Sequence, residues 1–171
     1  MRRLLIAVIA AAVPSLAAAQ GNPVADALRQ TAASEGKNLV AAAEVMPADK
    51  YGFKPTPAQM SFGEIVDHLS GGNDFLCGVI GGVKAPTRTK VAATASKEAL
   101  VARLKETFAF CEQALANLDD SKLSEQLPFF GNSKMSRAAE EMVTVGDWAD
   151  HYSQMANYLR LNKLLPPTAK T

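Results

Sequence analysis

Residues 145–167, VGDWADHYSQMANYLRLNKLLPP, read as one long helix that ends where Pro166 and Pro167 forbid its continuation. Trp148, Tyr152 and Leu159 recur at helical spacing as an apolar ridge, beside a face that carries Thr144, Met155 and Tyr158. Asp147 and His151 lie on that second face, four residues apart and therefore stacked one above the other. The chain has two histidines, and the other is His68. Two coordinating groups on a helix that must pack against partners pose the question of what they meet there.

Working outward, the rest of the chain is also helical. Asn22-Pro23 supplies an N-cap and a proline at the first helical position, and Val24, Leu28, Ala32, Leu39 and Ala43 keep helical spacing up to Met46. Ser61-Phe-Gly-Glu64 matches a capping box, followed by the stripe Ile65, Leu69, Gly72, Leu76 and Val79 or Ile80 until Gly81-Gly82 ends it. Ser96 caps a third helix with the stripe Leu100, Leu104, Phe108, Cys111, Leu115 and Leu118, closed by Asp119-Asp120. The fourth helix starts at Ser133 or Ser136 and runs to Asn162. No segment alternates in the manner of a strand, so the expected fold class is all-α, a four-helix bundle. Met135, Met142 and Met155 are expected on or near the core face of the fourth helix, filling space.

The first 19 residues hold two arginines, an apolar run and Ala17-Ala18-Ala19, the order of a secretory signal peptide. The expected organisation is therefore a signal at 1–19 and one domain at 20–171. The location is then periplasmic or secreted, with no second stretch able to cross a membrane. Loss of Arg2 and Arg3 takes the formal charge from +1 to −1, and the remaining charges are interspersed, which gives nucleic acid no basic surface. Cys77 and Cys111 are the two cysteines. An oxidising compartment favours a disulfide between them, worth about 3 kcal/mol, over two buried thiols that behave as small apolar groups. Without a C-x-x-C pair a redox enzyme is not indicated, and the serines lack a G-x-S-x-G setting.

If the second and fourth helices are neighbours, His68, Asp147 and His151 converge. Two nitrogens and one oxygen with a vacant position suit a divalent transition metal that also carries water or a substrate atom. Spacing alone equally fits hydrogen-bonded core residues.

Several passages together resemble the DinB-like superfamily: Tyr51-Gly-Phe-Lys-Pro-Thr-Pro57, Ser61-Phe-Gly-Glu-Ile-Val-Asp-His68, Cys77, Phe129-Phe-Gly131, and the tail from Asp147 to Pro167. The resemblance extends from about Ala25 to Pro167 and is that of a secreted branch. It implies a four-helix bundle, often a homodimer, in which a histidine of the second helix and an H-x-x-x-H pair of the fourth bind zinc, nickel or manganese. His68 matches the first ligand and His151 the last, while Asp147 stands where many relatives carry the middle histidine. Some members transfer low-molecular-weight thiols, and others are named hydrolases. Glu64, one turn before His68, and Tyr152 are candidates to orient a ligand or move a proton.

Two functional classes follow. One is a metal-dependent hydrolase or thiol transferase using His68, Asp147 and His151. The other is a non-catalytic exported bundle whose degenerate site binds a small ligand or a protein partner. The substrate is not legible in either.

Overall fold

Ser61 opens the helix that carries His68, and its local chemistry is the one anticipated: its hydroxyl accepts the Glu64 N–H while Glu64 accepts the Ser61 N–H. The computed structural model describes residues 21–169, so the signal-peptide reading of 1–19 lies outside the described residues. Four helices make up the domain: α1 Pro23–Val45, α2 Phe62–Gly81, α3 Lys97–Leu115 and α4 Arg137–Leu161. Among the described residues no helix is long and apolar enough to cross a membrane.

Contacts at the helix ends fix the topology as up, down, down, up. Tyr51, just after α1, donates its hydroxyl to Ala43, which brings the start of α2 to the end of α1. Helices α2 and α3 run parallel, pinned by Asn73 against Thr107 and by the Cys77–Cys111 disulfide, whose Cα atoms are 5.1 Å apart. The disulfide between two helices is thus the arrangement adopted. Parallel neighbours need a long return path, residues 82–96, and Arg88 clamps it down by pairing with Asp74 at 2.7 Å and Glu106 at 3.1 Å. Helix α4 then rises beside α2 in the opposite sense, so that Tyr158 near its end donates to the Met60 carbonyl before α2.

Glycine lets α2 and α3 approach at their C-terminal ends. A Cβ on Gly81 would fall 2.2 Å from the Ala114 carbonyl oxygen, and Gly82 ends α2 at φ 65°, a left-handed conformation that glycine adopts without strain. The core between the helices is mainly apolar, with Phe62, Leu39, Leu69, Leu104, Trp148 and Leu159 essentially inaccessible.

Four expectations need correction. Asn22 does not cap α1 with its side chain; Asp120 does so from 95 residues away, accepting the N–H groups of Val24 at 2.9 Å and Ala25 at 2.8 Å. Accordingly α3 ends at Leu115, and the chain turns so that Leu118 still reaches the core while Asp120 reaches α1. A two-stranded antiparallel ribbon, β1 Gln126–Pro128 with β2 Lys134–Ser136, precedes α4 where no strand is expected. Its three-residue strands are too short to show alternation, and the tight reversal is made by Gly131 and Asn132, both left-handed. Met142 is 73% exposed rather than in the core, because it lies two residues off the Glu140, Thr144, Trp148 stripe; Met135 sits in β2, and Met155 alone of the three is fully buried.

Candidate metal centre

The antiparallel pairing of α2 and α4 brings His68, Asp147 and His151 together, with one donor atom from each lying within 4.8 Å of the others. Asp147 occupies the middle: its Oδ1 is 3.3 Å from His151 Nε2 and 3.9 Å from His68 Nε2. The two imidazole rings stand edge to face with centroids 4.8 Å apart. His151 faces the core with 7% of its side chain exposed, whereas His68 keeps 51% in solvent. The cluster is therefore anchored on the inside and open on the outside.

The electrostatics follow from this placement. The Asp147 carboxylate, by hydrogen bonding and charge, holds the His151 imidazole above the usual histidine pKa although burial opposes it. His151 Nδ1 is buried without a protein partner.

Does the donor set fit a metal? In a tetrahedral site with bonds of 2.0–2.2 Å the ligand atoms stand about 3.3–3.6 Å apart. The Asp147–His151 pair already has this separation, and His68, on the exposed edge at 3.9 Å from Asp147 and with the three donor atoms all within 4.8 Å of one another, has to move inward toward both partners to complete the site. Two imidazoles and one carboxylate make a donor set for zinc or manganese that leaves a coordination position toward solvent. The residues fit a divalent ion.

The other candidates are occupied elsewhere. Glu64 is held by the Ser61 N–H and by Lys54 at 2.9 Å, which keep its carboxyl at a pKa of about 2, and it serves the helix start. Tyr152 bonds Thr168 at 2.8 Å and pins the tail beyond the prolines. Sequence reading passes over Asn73, a fully buried amide whose Oδ1 accepts the Trp148 indole N–H. The signal was available: Asn73 lies four residues from both Leu69 and Cys77, a polar side chain on the buried stripe. Also unanticipated are the buried charges Arg137, Glu140 and Glu141 at the start of α4.

Comparison with known proteins completes the picture. The model of the DinB superfamily matches residues 31–155, a span that includes all three residues of the cluster. The chain belongs to the DinB superfamily. Among solved DinB-like structures, one from Bacillus cereus ATCC 10987 superposes with a TM-score of 0.68 at 18% identity, covering 85% of this chain and 97% of that one. The DinB-like protein YjoA of Bacillus subtilis gives 0.64 at 20% identity, covering 80% and 92%. A conserved protein of Enterococcus faecalis gives 0.65 at 16% identity, covering 81% and 96%. At these identities the likeness shows the shared DinB fold. No curated protein matches the sequence.

Proposed function

We propose that this DinB-superfamily protein is exported and holds one divalent ion, zinc, nickel or manganese, through His68, Asp147 and His151, as a hydrolase or a thiol transferase. The observation that carries the reading is the convergence of two imidazole nitrogens and a carboxylate oxygen on an edge that solvent reaches. A divalent ion in such a site lowers the pKa of a bound water or thiol, so that the nucleophilic anion exists near neutral pH. The chain's own part is positional. His151 fixes the inner side, Asp147 adds the one negative charge of the set, and the exposure of His68 leaves room for a substrate atom beside it. The Cys77–Cys111 disulfide and the signal-like residues 1–19 support an oxidising, exported location.

Elemental analysis of protein purified from the periplasm without a histidine tag tests the reading. One ion per chain, lost in Asp147→Ala, is expected; an empty protein that takes up none of the three metals on addition refutes it. Mass spectrometry of the same sample tests export, the expected mature chain beginning at Gln20.

A further inference from the structure

Asp147 is followed at once by Trp148, whose indole is 1% exposed. A buried indole N–H needs an acceptor, and here it finds Asn73 Oδ1 at 2.8 Å across the gap from α4 to α2. Asn73 has no freedom to turn away. Its amide nitrogen donates to Thr107 Oγ1 of α3 at 3.3 Å, and that hydroxyl in turn donates to the Leu104 carbonyl at 3.0 Å. One turn further along α2, the Cys77–Cys111 disulfide ties the same two helices covalently. The direction of every bond is thereby set: the amide oxygen must face α4.

We infer that Asn73 is the positioning residue of the metal centre, a three-helix node that fixes the rotation and register of α4 against α2 so that Asp147 and His151 meet His68. Slipping α4 by one residue rotates it by about 100°, and by one turn shifts it about 5.4 Å. Either movement leaves the Trp148 N–H buried and unpaired, while apolar packing alone tolerates a change of register better because it has no direction. Among the hydrogen bonds from α2 to α4 this is the side-chain pair buried at both ends, and it lies beside the cluster: Asn73 five residues past His68, Trp148 between Asp147 and His151. The role in metal binding rests on the reading proposed above; the role in holding the two histidines together does not.

With two histidines in the chain, the nuclear Overhauser effect between the His68 and His151 ring protons reports the register without any metal. It is measured in the full chain as wild type, Asn73→Leu, Trp148→Phe and Leu28→Ala, the last being a core truncation on α1 that serves as a stability control. The effect should vanish in Asn73→Leu and Trp148→Phe with helix content intact, and persist in Leu28→Ala. Zinc affinity should fall roughly 10- to 100-fold in the same two variants, and the double variant should lose no more than either single one. Should Asn73→Leu fail to fold, Trp148→Phe, which keeps an aromatic ring against Phe108, decides alone. A ring-to-ring effect that survives in Trp148→Phe, or is lost equally in Leu28→Ala, overturns the inference. A wild type that shows the effect but binds no zinc refutes the metal reading alone, and the proton measurements still decide the role of Asn73.

Discussion

Asp147 Oδ1 lies 3.3 Å from His151 Nε2, one turn along α4, and the carboxylate holds the imidazole above its ordinary pKa. In the metal-free protein this pair stabilises the fold while His151 is charged. The contribution is complete below the unfolded histidine value of about 6.5 and is lost as pH rises through the higher folded value. The melting temperature of Asp147→Asn should fall short of wild type most clearly near about pH 6, and the gap should close toward about pH 9. Thermal melts across that range check it; a gap that widens with pH contradicts it.

Asp120 caps α1 from the turn after α3, satisfying two N–H groups that have no partner in their own helix. Asp120→Ala should cost about 1 kcal/mol. In a domain of this size that lowers the melting temperature by about 2–4 °C. Hydrogen exchange should rise at the start of α1 and leave α2 unchanged.

Glu140 is wholly buried, neither of its carboxyl oxygens has a hydrogen-bond partner, and burial raises its pKa despite Arg137. A group so raised favours folding when protonated and opposes it when ionised, so the penalty grows as pH rises above the unfolded value of about 4.3. Glu140→Gln should therefore raise the melting temperature near about pH 8, and this gain should disappear near about pH 4. Paired melts of the two proteins at the two pH values are sufficient.

The disulfide closes a 34-residue separation and ties the parallel pair α2 and α3. Replacing both cysteines by alanine should lower stability by about 3 kcal/mol in denaturant titration. A double variant as stable as wild type would show that the Asn73–Thr107 contact and the Arg88 clamp hold these helices unaided.

How much of this was legible beforehand depends on the range of the interaction. The capping box at Ser61, the stop at Gly82 and the stacking of Asp147 and His151 on one helix are local or periodic signals, and each appears where the spacing puts it, whereas the approach of His68 to that pair was legible only on the condition that α2 and α4 are neighbours. What reading along the chain misses is coupling between distant residues. Asp120 caps a helix 95 residues earlier, and Asn73 receives a bond from Trp148, 75 residues later. Short side chains at turns satisfy local needs in most sequences, so nothing in Asp119-Asp120 distinguishes the residue that reaches across. The ribbon before α4 escapes for another reason: three residues per strand carry no period.

His68 gives the most direct test of the metal centre because half its side chain is in solvent and its removal should not disturb the core. Zinc is titrated calorimetrically into metal-free wild type and His68→Ala, with melting temperatures recorded before each titration. The account predicts equal melting temperatures, one site per chain in wild type, and binding at least roughly tenfold weaker in the variant. Equal affinity in the two proteins, or no binding in wild type, contradicts it.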